Sequence, residues 1–164
     1  MDVSKATPKQ MDSLRKFFHS MNRFMVWMWK KGWGKQMNAW PDKLGRIMVI
    51  KHRGRKSGKE YLTPVNYAIV DGEVYCTAGF GSISDWYRNM LVNPQVELWL
   101  PDGKRAACAE DISDSPRRVF LLRQVLIASG FAASTFGGLD PGKMNDEQLV
   151  EATKEYRLVC FKSL

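Results

Sequence analysis

The segment Gly54-Arg55-Lys56-Ser57-Gly58-Lys59 carries residue types that could hold an anion. Arg55 offers a planar fork of N–H donors, Lys56 and Lys59 offer point charges, and Ser57 offers a hydroxyl. The two glycines allow a tight turn with exposed backbone N–H groups, and such a turn can cradle a phosphate. The segment is not a P-loop, because GxxxxGK[ST] is absent. Taken by itself it reads either as an anion cradle or as a solvated, charged hairpin.

The distribution of charge bears on that choice. Lys and Arg total 25 against 17 Asp and Glu, a formal net charge of +8. No acid falls between Asp42 and Glu60, while Lys43, Arg46, Lys51, Arg53, Arg55, Lys56 and Lys59 all do. This balance suits an anionic partner: nucleic acid, an acidic membrane surface or a phosphorylated cofactor. No aromatic platform is interleaved with these cations, so nucleic acid is the partner not expected.

Further chemistry is sparser. Thr63-Pro64 interrupts a strand-like run, and a proline there marks an edge or an opening in a sheet, where backbone could meet a flat ring. Ala78-Gly79-Phe80-Gly81-Ser82 is either a small-residue loop that lets a ligand approach backbone or an ordinary connection. Ser84-Asp85-Trp86-Tyr87-Arg88-Asn89 opens a helix whose Trp86 and Tyr87 can pack inward. His19 and His52 stand apart without carboxylate or cysteine companions, so no metal site is expected, and no Ser-His-Asp or Cys-His set can be assembled.

These pieces need elements to position them. Residues 7–31 read as a helix, with Thr7-Pro8 at its start and Met11, Leu14, Phe18, Met21, Met25 and Met28 at helical spacing. Its wide apolar face suits packing across a barrel or dimer seam, or lying on a membrane with Lys30, Lys31 and Lys35 beside it. Strands are expected over 45–53, 59–70, 73–77, 96–100, 104–110 and 157–162, with hairpin turns at Asp71-Gly72 and Pro101-Asp102-Gly103. Helices are expected over 84–93, 115–129 and 145–153. Antiparallel hairpins with inserted helices predict an α+β fold built on a small barrel rather than a parallel sheet.

The ordered string Gly54-Arg55-Lys56-Ser57-Gly58, Thr63-Pro64-Val65, Asp71-Gly72, Ala78-Gly79-Phe80-Gly81, Ser84–Asn89 and Asn93-Pro94 resembles the deazaflavin-dependent nitroreductase and quinone reductase family. The resemblance implies a split antiparallel β-barrel, like that of FMN-binding flavoproteins, with flanking helices and an N-terminal helix. It implies coenzyme F-420 as cofactor and hydride transfer to a small apolar acceptor such as a quinone, nitro compound or activated alkene. By that resemblance Arg55, Lys56, Ser57, Gly58 and Lys59 hold the phosphate and acidic tail. Thr63, Pro64, Val65, Ala78 and Gly79 lie along the ring, and Trp86, Tyr87 and Asn89 shape the pocket. Tyr87 and Ser82 are the candidate proton donors. The tyrosine cluster of the mycobacterial nitroreductase branch is missing, and Phe120, Phe131 and Phe136 stand in its region, which favours an apolar acceptor. The same barrel binding FMN, or serving as a non-catalytic deazaflavin or tetrapyrrole carrier, is the alternative.

In layout, residues 1–40 form the N-terminal amphipathic helix region and 41–164 the barrel, together one domain at this length. Peripheral membrane contact through the helix and a homodimer are the expected associations. Cys76, Cys108 and Cys160 read as reduced core residues, Met1–Gln10 is too polar for a signal peptide, and the expected location is cytoplasmic.

Overall fold

Apolar residues recur at every second position in six segments, and those segments close into an antiparallel barrel. The computed structural model describes residues 8–164, except the side chains of 8–15, 18, 42 and 136. The strands are β1 (Ile47–Arg53), β2 (Glu60–Val70), β3 (Glu73–Ala78), β4 (Gln95–Leu100), β5 (Gly103–Asp111) and β6 (Arg157–Ser163). Around the barrel they run β1-β2-β3-β6-β5-β4, and β4 pairs back onto β1. The expected α+β barrel is therefore the observed architecture.

The barrel interior is filled by one side-chain set from every strand, including Met48, Ile50, Tyr67, Cys76, Leu98, Ala107, Val159 and Phe161. The helix α4 (Asp85–Val92) adds Tyr87 and Met90 to this interior. Outside the barrel, α5 (Arg118–Ala128) lays Leu121 and Val125 on Ala68, Tyr75, Leu158 and Cys160. A third cluster joins α5 to α6 (Phe131–Gly137) and α7 (Asp146–Ala152) through Leu122, Leu126, Ala133 and Leu149. Asn145 caps α7 reciprocally with Gln148.

The β1–β2 ladder runs from Ile47↔Asn66 to Arg53↔Glu60, whereas the β2–β3 ladder covers Tyr67↔Cys76 to Val70↔Glu73. Residues 60–66 of β2 thus have strand partners on one side, and Pro64, which lacks an N–H, sits in that half. Thr63-Pro64 thus lies on a one-sided stretch of β2, consistent with the edge or opening that the proline implied. The Asp71-Gly72 turn has positive φ at both residues, 53° and 85°, which matches the right-handed twist of the paired strands.

The N-terminal helix α1 spans Pro8–Lys30, followed by the short helices α2 (Gly34–Met37) and α3 (Pro41–Leu44). Asn38 ties this region to β1: its amide accepts from Ile47 N–H at 2.8 Å and donates to Ile47 carbonyl oxygen at 2.9 Å, as a neighbouring strand would. Met21, Met25 and Met28 are half-buried, as the apolar stripe implied. The Thr7 cap and the Met11, Leu14 and Phe18 part of that stripe lie outside the described residues. The helix α6 was not expected, since Phe131–Gly137 is short and glycine-ended; packing of Ala133 in the third cluster holds it. The three cysteines are unpaired, Cys76 and Cys160 buried and Cys108 half-buried. Among the described residues no helix is long and apolar enough to cross a membrane.

Phe161, 2% exposed, contacts the interior set, so Phe161→Ala should lower stability by about 3–5 kcal/mol. Leu91→Ala, at a residue 56% exposed, should change it by about 0.5 kcal/mol or less. Urea titration of both variants checks this contrast.

Candidate functional site

Along the inner face of β1 the residues run Met48, Ile50, His52, and along that of β2 they run Tyr67, Val65, Thr63, Tyr61. The barrel interior therefore turns from apolar to polar at one end. His52 pairs in register with Tyr61, and their rings stack with centroids 5.8 Å apart. His52 Nε2 lies 2.9 Å from Thr63 Oγ1, and Nδ1 lies 3.4 Å from Asn89 Nδ2 on α4.

Over this polar end lies a cleft of about 870 Å³. Its floor is His52, Tyr61, Leu62 and Thr63, and α4 contributes Asp85, Trp86 and Asn89. The bend between β1 and β2 contributes Gly54, Arg55, Lys56 and Ser57. The opposite wall is one face of α1: His19, Asn22, Arg23, Val26, Trp27 and Lys30, spaced by three and four residues. Arg23, Lys30, Arg55 and Lys56 meet a single carboxylate, Asp85, among these lining residues, so the cleft is cationic.

The bend is closed by Gly54 N–H to Lys59 carbonyl at 2.8 Å and Gly58 N–H to Gly54 carbonyl at 2.9 Å. Gly58 has φ 65°, a conformation that side-chain-bearing residues rarely adopt. A Cβ on Gly54 would fall 2.7 Å from both Ser57 Oγ and the Tyr61 ring. Ser57 Oγ accepts from Lys59 N–H at 3.3 Å and lies 3.2 Å from Tyr61 Oη. Among the described residues, the N–H groups of Lys56 and Ser57 make no hydrogen bond within the protein. Two successive free donors beside a lysine ammonium are the parts of an anion nest.

Arg55 departs from its expected role as a free fork. Its backbone N–H donates to Asn89 Oδ1 at 3.1 Å, Nη1 donates to the same oxygen at 2.8 Å, and Nη2 pairs with Asp85 Oδ1 at 3.0 Å. Most of its donors are committed to α4. It anchors the bend, and Lys56 with the two free N–H groups is left to meet an anion.

The other expected site residues divide between the cleft and elsewhere. Arg55, Lys56, Ser57, Thr63, Trp86 and Asn89 come together in it. Gly58 and Lys59 lie on the bend but not in the lining, and Pro64 is buried within β2. Val65 and Ala78 pack with the barrel interior, and Gly79 lies against Tyr156. Tyr87 is buried, and its hydroxyl donates to Asp111. Burial first, and then that bond, pushes its phenol up to about 12. Ser82 is exposed in the 3-10 turn Gly81–Ile83. Neither expected proton donor lines the cleft. Phe120 and Phe131 are exposed and outside it, and the Phe136 side chain lies outside the described residues.

His52 and Tyr61 were not foreseen, nor were the individual α1 residues, although the N-terminal helix was expected to close the pocket or to bring it near lipid-dissolved quinones. The inward alternation Met48, Ile50, His52 was the available signal for His52. Burial lowers the His52 ring to about 4, so it is neutral at pH 7.

The family described as F420H(2)-dependent quinone reductase matches residues 21–136. A curated Mycobacterium tuberculosis protein, provisionally named for that same activity, is 30% identical over 73 residues, covering 43% of this chain and 61% of that protein. The chain thus spans less than two thirds of that relative's length. Among solved structures, a conserved hypothetical protein of Mycobacterium tuberculosis superposes with a TM-score of 0.52 at 20% identity, over 72% of each chain. An F420-H2 dependent reductase superposes with a TM-score of 0.51 at 17% identity, over 71% of this chain and 93% of that one. These likenesses in structure show a shared barrel fold.

The His52 shift sets a pH dependence whose sign is fixed. Between pH 6.5 and about 4 the unfolded ring binds a proton that the folded ring refuses, so stability falls as pH drops through that window. The difference from 6.5 to about 4 corresponds to about 3 kcal/mol. Thermal unfolding at pH 7, 5.5 and 4 should show a smaller acid loss in His52→Asn than in wild type; equal losses would contradict a buried neutral ring.

Proposed function

The chain belongs to the F420H(2)-dependent quinone reductase family, and from that premise we propose that the cleft binds coenzyme F-420 and serves hydride transfer to a quinone. The observation that carries this reading is the meeting of an anion nest and an aromatic-walled cleft at one barrel end. Lys56 and the N–H groups of Lys56 and Ser57 would hold the cofactor phosphate. Arg23 and Lys30 on α1 would face its acidic tail, and Trp86 and Tyr61 would flank its ring. When bound, the cofactor supplies the hydride, and the chain supplies position and electrostatics. Tyr87 is committed to Asp111 and lies outside the cleft lining, so it is not placed to give the proton that completes the reduction.

A quinone is favoured over a nitro compound or activated alkene by the outer surface of α1. Trp27 lines the cleft and also stacks on Phe24, with centroids 6.0 Å apart, and meets Trp33 edge-on at 5.9 Å. Phe24, Trp27 and Trp33 are each about half exposed, with Lys30, Lys31 and Lys35 exposed among them. This ridge suits the interface of an anionic bilayer, and it would hold the cleft mouth beside lipid-dissolved acceptors.

Titration of the purified protein with oxidised F-420 and with FMN tests the reading. F-420 should bind, and Lys56→Ala should weaken it by about 1.5–3 kcal/mol, roughly 10- to 100-fold. Arg55→Ala should weaken it as well, by releasing the bend from α4. Tight FMN binding without F-420 binding would sink the proposal. Oxidation of reduced F-420 should be faster with a quinone than with a nitroimidazole.

A further inference from the structure

Asn89 is held in one orientation by Arg55. Its Oδ1 accepts from two Arg55 donors, the backbone N–H at 3.1 Å and Nη1 at 2.8 Å. The amide nitrogen is thereby turned to His52 Nδ1, 3.4 Å away. That separation is long for a hydrogen bond, yet an amide N–H pointed at a ring nitrogen favours a lone pair there over a second N–H. The neutral ring then carries its proton on Nε2, which lies 2.9 Å from Thr63 Oγ1 and donates to it.

A hydroxyl that accepts at its oxygen keeps its own proton for another acceptor. Among the described residues Thr63 Oγ1 has no other hydrogen-bond partner, and Thr63 lines the cleft. Hydrogen-bond direction is thus passed from Arg55 through Asn89 and His52 to Thr63, each donor fixing the next.

We propose that His52 is a positioning residue which, as the Nε2–H tautomer, makes Thr63 a hydrogen-bond donor into the cleft, aimed at an acceptor oxygen of the bound ligand. This rests on the reading of the cleft as the F-420 site. The ligand at this point must present an acceptor, a carbonyl or phosphate oxygen. A ligand presenting an N–H or O–H there can use only the second lone pair of Oγ1 and leaves the Thr63 proton without an acceptor, so it binds less well. A protonated His52 would set an N–H against the Asn89 amide hydrogens, so the device works with the neutral ring.

Two measurements on the full-length protein test it. Long-range proton–nitrogen correlation of the histidine rings at pH 7 reads the tautomer directly, with His52→Asn assigning the signal among the two histidines. A proton on Nε2 is expected; a proton on Nδ1, or on both nitrogens, overturns the proposal. The second is F-420 affinity of wild type, Thr63→Val, Thr63→Ser, His52→Phe and the His52→Phe, Thr63→Val double variant, each first shown folded by circular dichroism. Thr63→Val and His52→Phe should each weaken binding about ten-fold, Thr63→Ser should restore most of it, and the double variant should be no weaker than Thr63→Val. Additive losses, or full affinity in Thr63→Val, would overturn it. Wild type failing to bind F-420 would instead sink the functional reading, while the ring spectrum would still decide whether His52 directs Thr63.

Discussion

The Asn89 carboxamide joins three parts of the chain that share no ladder or helix: the β1–β2 bend through Arg55, the barrel end through His52, and α4, on which it stands. It is buried, so leaving its amide without these partners would cost more than at an exposed site. Arg55 reinforces this joint through Asp85, but that pair is worth little as energy. The Arg55 side chain is 23% exposed and that of Asp85 82%, and solvent screens such pairs. Its value is geometric, because a bidentate hold on the guanidinium fixes the backbone of residues 54–57. With the bend pinned from behind, Lys56 and two backbone donors are presented forward without having to be ordered by the ligand.

The same arrangement explains why so basic a segment is tolerated. Among the described residues four cations line the cleft against one carboxylate, and that carboxylate is spent on Arg55. Arg23, Lys30 and Lys56 make no ion pair among the described residues, and their positive potential is available to an anion from solution. The helix α1 shares in this through Arg23 and Lys30, and it carries the exposed ridge of Phe24, Trp27 and Trp33 alongside. One helix therefore provides both a wall of the site and a surface that water covers poorly, with Trp27 belonging to both.

Much of the frame was legible before the fold, and the limits of that legibility are physical. Alternation along β1, β2 and β4 shows which residues turn inward, and Asp71-Gly72 specifies its hairpin locally. The basic bend is visible as composition. Which of its cations stay free is not, because that depends on Asn89, 34 residues further on from Arg55. Tyr87 is a similar case: its motif suggests a pocket residue, but Asp111, 24 residues away, takes its hydroxyl and the barrel interior takes its ring. His52 was discounted for want of acidic or thiol companions, whereas its partners are an amide, a hydroxyl and an aromatic face. Tests for metal ligation and triads overlook a histidine that works by polarity.

That distinction bears on how the site can select a ligand. A charged imidazole at the barrel end would add one more cation to a cleft already rich in them, and would discriminate poorly among anions. A neutral ring adds no charge, but it has one donor and one acceptor nitrogen, and their order is set by a neighbour that cannot turn over while Arg55 holds it. Attraction from a distance then falls to Arg23, Lys30 and Lys56, while discrimination at contact falls to Thr63 and the free N–H groups of the bend. Long-range charge and short-range hydrogen-bond direction are thereby carried by different residues. A cofactor whose tail is anionic and whose ring edge bears carbonyl acceptors would match both demands at once.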